Sequence, residues 1–288
     1  MSQEQKVPSS VNYDLWSGPA PVKPLMRSRL HYDWHWIWDY GNGDLGNQGI
    51  HEMDKARWGL QKNTLPLAAM SLGGRVGYVD DGETANTQVI WFDYGDSELL
   101  FEVRGLPARS PYPGKESPKD ANGKMGGAFV GNIWYGSEGF LVCPSYSGGV
   151  AYSNDGEVLM KFSGGGDHFG NFVSAVRSRK KEELNADILE GHLSSALCHL
   201  GNISHRLGTQ EILSSKGANV FPSKAATDAV NDFRAHLHEN NVDLEKTKLS
   251  LGRKLRIDVK GESLPGDKEA TLMLSREYRK GFEVPRKV

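Results

Sequence analysis

Apolar and polar positions change rhythm three times along this chain of 288 residues. Up to residue 30, proline and polar residues interrupt every apolar run, and Pro19, Pro21 and Pro24 restrict the backbone. The spacing there predicts an extended lead-in. From Leu45 to Leu60 the period becomes helical, with Ile50, Met53 and Leu60 on one apolar side. A series of short runs rich in Val, Ile, Phe, Tyr and Trp follows: Arg75 to Val79, Thr87 to Tyr94, Leu99 to Arg104, Phe129 to Tyr135, Phe140 to Cys143 and Val158 to Phe162. Their connectors include Tyr94-Gly95-Asp96, Gly136-Ser137-Glu138-Gly139 and Asn154-Asp155-Gly156, the tight-turn chemistry of antiparallel neighbours. Between Gly105 and Gly127, Pro, Gly, Lys and Ser dominate, which predicts a mobile surface excursion over 105–127 suited to a lid.

The last third is helical. Phe169, Phe172, Val173 and Val176 make an apolar stripe ahead of the basic cluster Arg177 to Lys181, where a helix end favours positive charge. Leu189, Leu193, Ala196, Leu197, Leu200, Ile203 and Leu207 repeat at helical spacing up to Gly208. Ala226, Val230, Phe233 and Leu237 predict another helix after Pro222. Beyond Leu249 the tail reads as irregular, with a short apolar piece at Ala270 to Leu274. The expected fold over 31–288 is α+β: one open, mainly antiparallel sheet with helices on one face. The other face, carrying Val89, Trp91 or Phe101, would expose a broad apolar area, so a partner subunit is expected against it and the chain is expected to form a homo-oligomer.

Composition narrows the function classes. With 34 basic and 36 acidic residues intermixed and a net charge of −2, the chain has no electrostatic footprint for nucleic acid or anionic lipid. Two cysteines, Cys143 and Cys198, each in an apolar run, read as buried thiols and exclude a disulfide framework. The start MSQEQKVPSSVNYDLW lacks the apolar core of a secretory signal, and no run of about eighteen apolar residues is present. A soluble, cytoplasmic protein is expected, with export open if a preceding segment is missing.

Few residues carry candidate chemistry. Gly41-Asn42-Gly43-Asp44-Leu45-Gly46 matches the glycine fingerprint for dinucleotides. That fingerprint works where glycines end a buried strand and open a helix in a βαβ unit, and the aromatic, charged residues before it argue against such a strand. Next, Asn47, His51 and Asp54 lie at helical steps of four and three and would share one face. A histidine so held can take a hydroxyl proton as hydride leaves the same carbon, with Asn47 orienting substrate and Asp54 fixing the ring; equally, His51 can hydrogen-bond a neighbouring loop. The alternating run Tyr32 to Tyr40 reads as a strand with Trp36 and Trp38 among five aromatics on one side, suited to stacking on sugar rings or to packing. His31 and His35 suit a metal only on a helix, and no metal is expected. His192, Ser195, His199 and Asn202 form a polar stripe on the late helix that either lines a cleft or faces solvent and the sheet rim. Asp167-His168 reads first as a helix cap. Nucleophile elbows, phosphate loops and paired catalytic carboxylates are absent from the sequence.

The run WDYGNGDLGNQGIHEMDKARW, ending at Trp58, resembles the second-domain signature of the glucose-fructose oxidoreductase, inositol dehydrogenase and rhizopine catabolism (Gfo/Idh/MocA) family. YDLWSGPAP, LGGRVGYVDDGETANTQ, NADILEGHLSSALCHLGNISHRLG and REYRKGFEVP look like one bacterial branch of it. The resemblance implies a carboxy-terminal α+β domain that ordinarily follows a nicotinamide-binding Rossmann domain and a lysine in a Glu-Lys-Pro motif, neither of which occurs here. The family pattern Asp-x-Gly-x-His-x-x-Asp maps onto Asn47, Gly49, His51 and Asp54, which implies the acid/base role for His51. Asn47 replaces the usual acid, so amide hydrogen bonds would orient substrate there. The resemblance implies catalytic His51 and Asn47, with Asp54 beside them; Trp36 and Trp38 from the aromatic run, and His192 and His199 from the polar stripe, are the further expected substrate-binding residues. It implies NAD(P) for a complete member, carried by a separate Rossmann domain and not by this chain, which is therefore expected to transfer no hydride unaided.

Three readings follow: the substrate-binding and oligomerising half of a sugar or polyol dehydrogenase, a non-catalytic carbohydrate-binding or assembly module, and a cofactor-free lyase or epimerase using His51 and His199.

Overall fold

A computed structural model describes residues 3–108, 110–111, 128–213 and 219–285. Most of the excursion expected over 105–127 lies outside the described residues. In chain order the elements are α1 (Tyr13–Ser17), α2 (Gly43–Gly46), α3 (Gly49–Gly59), β1 (Ala68–Gly74), β2 (Thr87–Asp93), β3 (Glu98–Arg104), β4 (Asn132–Tyr135), β5 (Gly139–Cys143), β6 (Gly148–Ser153) and β7 (Val158–Ser163). They continue as α4 (His168–Ser178), α5 (Ile188–Arg206), β8 (Thr209–Ile212), α6 (Lys224–Glu239), β9 (Lys248–Leu251), β10 (Leu255–Arg256) and α7 (Lys268–Leu272). The chain divides into two compact units, each built from separate stretches: Met1–Gly49, Leu65–Pro107 and Leu197–Val288 in the first, Ile50–Thr64 and Ala108–Ala196 in the second. The architecture is mixed helix and open sheet, α+β, and every strand pairing among the described residues is antiparallel.

The first unit holds a sheet ordered β3-β2-β1-β9-β8, with β10 also on β1. Contrary to the expectation of one covered face, helices pack on both. On one side Leu72, Val89 and Trp91 join Ala226, Val230, Phe233 and Leu237 of α6 in a buried cluster. On the other, a Cβ at Gly201 of α5 would lie 3.2 Å from Leu45 and 3.3 Å from Ile90, so the helix runs close over β2. The backbone amide of Ser71 donates to Ser204 Oγ at 2.9 Å on the same side. Val89, Trp91 and Phe101 are therefore buried within the chain, and they offer no bare face to a partner subunit. The run Val-Ile-Trp-Phe in β2 has the continuous apolar character of a strand buried on both faces.

Two further differences have local causes. The strand expected at Arg75 to Val79 lies one element earlier, in β1, whose Ala and Gly residues have weak strand preference and are held by pairing on both sides. Residues 75–79 are irregular because the Asn86 side chain takes both the amide and the carbonyl of Val76. The tail beyond Leu249 is also more ordered than expected: it supplies β9, β10 and α7, the last capped by the Asp267 side chain.

In the second unit β4, β5, β6 and β7 form a separate meander in sequence order, so the single expected sheet is two sheets. Helix α3 is tied to it by Asn132 Nδ2 donating to the Glu52 carbonyl at 2.8 Å and Trp134 Nε1 donating to that of Ala56 at 3.3 Å. Every residue of β7 is exposed, as are Phe169, Phe172, Val173 and Val176 of α4. The Asp167 side chain caps α4 as expected, accepting from the Gly170 amide.

Candidate functional site

The helix expected from Leu45 to Leu60 is broken. Glycines at 46 and 49 bracket the interruption, where weak helix preference lets the chain turn. Asn47 ends α2 with φ −97° and ψ −86°, outside the helix that carries His51. Asn47 and His51 therefore do not occupy one continuous helical face. Both side chains are exposed.

Within the second unit His51 makes an edge contact with the Tyr146 ring, centroids 5.8 Å apart. Lys55, one turn on, donates to the Ser145 carbonyl at 2.8 Å and lies 5.2 Å from the same tyrosine ring. Asp54 does not hold the imidazole. It accepts from the Ser194 hydroxyl of α5 and faces Arg57 Nη2 at 3.7 Å. Arg57 has no exposed side-chain surface. Its Nε donates to Ser194 at 2.9 Å, its Nη1 to the Lys62 carbonyl at 2.8 Å, and its Nη2 pairs with Glu190. Trp58 Nε1 also donates to Glu190 at 3.2 Å. These bonds, the Arg57 one first, hold the Glu190 carboxyl below its ordinary pKa. Arg57, Glu190 and Ser194 escaped the sequence reading, although Arg57 stands three residues after Asp54, the spacing of an ion pair on one helix. A buried guanidinium saturated in this way fixes α3 and leaves His51 presented to solvent.

His192 is exposed on α5 in the same unit, and Ser195 turns its hydroxyl back to the His192 carbonyl at 3.1 Å. The other half of the polar stripe belongs to the first unit. There His199 has an exposed edge, yet surrounding protein and the nearby Arg276 guanidinium hold its pKa below the ordinary value. Asn202 is buried and donates to the Asn42 carbonyl at 3.0 Å.

The aromatic run is not a strand. Asp33–Trp36 is a 3-10 turn in which His35 stacks on Trp34 at 4.1 Å, so alternation does not sort these rings onto one side. Trp36 Nε1 donates to Asp44 at 3.2 Å, and burial of Asp44 raises its carboxyl pKa despite that bond. Trp38 lies under the Arg206 guanidinium at 4.9 Å, while its amide donates to Glu83 at 2.8 Å.

The glycines at 41 and 43 allow close protein packing, not a phosphate cradle. A Cβ at Gly41 would sit 2.4 Å from the His35 carbonyl oxygen. At Gly43, which has φ +70°, it would sit 2.6 Å from Thr84 Oγ1. The 3-10 turn before them replaces the buried strand that dinucleotide recognition needs, so these residues do not fit a nicotinamide nucleotide. Among the described residues no group of three or more His, Cys, Asp and Glu converges on a metal-sized site, and no helix is long and apolar enough to cross a membrane.

Residues 1–89 match the model of an oxidoreductase family, GFO_IDH_MocA_C2, described as its C-terminal alpha/beta domain. The resemblance read from the sequence is thus found independently over the stretch that carries Asn47, His51 and Asp54. No curated protein matches the chain. Among solved structures, the WlbA dehydrogenase from Bordetella pertussis in complex with NADH and UDP-GlcNAcA is 15% identical, with 60% of this chain and 46% of that chain covered at a TM-score of 0.37. A Klebsiella pneumoniae protein described as an oxidoreductase is 11% identical over 71% of this chain and 55% of that one, TM-score 0.38. A Thermotoga maritima protein described likewise is 15% identical over 54% and 42%, TM-score 0.36. This chain spans about half the length of these structures. Superposition at that level carries no argument about chemistry.

Proposed function

We propose that this chain supplies the substrate-binding and assembly half of an NAD(P)-dependent sugar or polyol oxidoreductase, with the nicotinamide nucleotide carried by a Rossmann domain outside this sequence. The observation that carries the reading is the family match over residues 1–89, which includes the His51 motif. In this role the exposed His51 imidazole accepts the proton of the reacting hydroxyl, and the buried Arg57 network keeps α3 rigid beneath it. Asn47, Trp36, Trp38 and His199 in the first unit, and Asp54 and His192 in the second, are proposed as substrate-binding residues of their own units. A cytoplasmic setting suits a nicotinamide-dependent activity. Assembly into a homo-oligomer through the exposed strand β7 replaces the expectation built on Val89 and Trp91.

A thermal-shift panel of sugars and polyols tests this. A hit that stabilises the wild-type chain without nicotinamide, and stabilises His51→Ala less, supports the reading; no response across the panel contradicts it. A non-catalytic carbohydrate module is the second reading. It is favoured by the engagement of Asp54 with Ser194 and Arg57, which leaves the His51 ring without a carboxylate to orient it. Sugar binding unaffected by His51→Ala would select that alternative.

A further inference from the structure

Two arginines in the first unit meet at consecutive residues of the aromatic run. Arg206, at the end of α5, lays its guanidinium 4.9 Å above the Trp38 ring. Arg276, from the tail, donates through Nη1 to the Asp39 carbonyl at 3.2 Å. Stacking on an indole fixes the plane of a guanidinium and leaves its N–H edge free, the geometry that recognises carboxylate or phosphate in two parallel hydrogen bonds. Both arginine side chains are exposed, so that edge is reachable.

The nearby acids are otherwise engaged. Asp39 pairs with Lys23, and Glu83 accepts from the Trp38 amide. They lend Arg206 partial compensation, while Arg276 opposes its charge; burial and that repulsion together lower the Arg206 pKa. Burial, and after it Arg276, hold the His199 pKa below its ordinary value, which favours the neutral imidazole beside Arg276. One guanidinium stacked on the Trp38 ring and a second held at the next residue by the Asp39 carbonyl bring two like charges to one place, a site that an oxyanion completes.

We infer that Arg206 and Arg276, gathered at Trp38 and Asp39, form a receptor for the oxyanion of an acidic sugar, borne as a carboxylate or a phosphate. This deepens the sugar reading above and rests on it. The site then discriminates charged from neutral sugars, because a neutral one leaves the two guanidiniums uncompensated.

Calorimetric titration of the full chain with D-glucuronate, D-glucose 6-phosphate, D-glucose and inorganic phosphate tests the inference. At least one acidic sugar is expected to bind about tenfold or more tightly than glucose, with affinity falling as salt rises. The two acidic sugars separate a carboxylate from a phosphate. Arg206→Gln and Arg276→Gln should each remove most of that preference and leave glucose binding unchanged. Arg206→Lys, which keeps the charge but not the paired N–H edge, should weaken it partly; this variant also serves if Arg206→Gln fails to fold. Acidic sugars binding no better than glucose, or a preference surviving both Gln variants, would overturn the inference while sparing the sugar reading. Inorganic phosphate binding that both variants abolish, with no sugar bound, would overturn the sugar reading and the inference with it, leaving a site for a free anion only.

Discussion

At the residue scale, His51 and Arg57 sit on one helix and do opposite work. The exposed His51 bears little packing, so His51→Ala should leave the unfolding midpoint nearly unchanged. On the proposed function, in which His51 is the general base, the same change should lower turnover of an enzyme reconstituted with a nucleotide-binding domain by about 10²–10⁴-fold. Parallel denaturation and rate measurements check both. Arg57→Ala strips a saturated guanidinium from among Glu190, Ser194 and Asp54, and should destabilise the second unit by about 3–5 kcal/mol in urea unfolding. His205 gives a pH signature. Burial, aided by Arg206, lowers its pKa from 6.5 to about 4, and its Nδ1 is buried without a hydrogen-bond partner. The unfolded chain therefore binds the proton more readily. This contribution to stability is complete above pH 6.5 and is lost as pH falls toward 4. At about 1.4 kcal/mol per pH unit the full span is roughly 3 kcal/mol. His236, whose pKa burial and Arg104 also lower, acts in the same direction. His205→Gln should flatten the loss of stability between pH 7 and pH 5; an unchanged pH dependence would refute the assignment.

At the element scale, the sequence made some features plain and hid others for identifiable reasons. The periodic helices α5 and α6 and the strands β2, β3 and β5 were legible because their apolar spacing matches their burial. Strand β1 was not, since Ala68, Ala69, Gly73 and Gly74 take their strand state from neighbours on both sides. The break between α2 and α3 was hidden because the apolar period continues across it, and only the glycines marked it. Of the candidate site, the motif singles out His51, whose role stays with the proposed function, while the Arg57 network joins residues more than 130 positions apart and had no local signal. The covering of both sheet faces was foreshadowed by the unbroken apolar run in β2. It makes Phe233 of α6, fully buried, a test of that layer. Phe233→Ala should cost about 3–5 kcal/mol, read as a lowered urea midpoint.

At the scale of the whole molecule, exposed apolar area is concentrated on β7 and α4 of the second unit, where Leu159, Met160, Phe162, Phe169 and Phe172 are all exposed. Such patches usually meet a partner. If a second copy covers them, light scattering should find an oligomer, and Phe162→Asp with Phe169→Asp should yield a monomer. On the proposed function, labour is divided: this chain would bind the sugar, and another domain would bring the nicotinamide. Calorimetric titration of the purified chain with NADH and with the sugar panel tests it most directly. The account predicts heat from at least one sugar and none from NADH. Micromolar NADH binding by this chain alone, accompanied by turnover of a sugar, would contradict it.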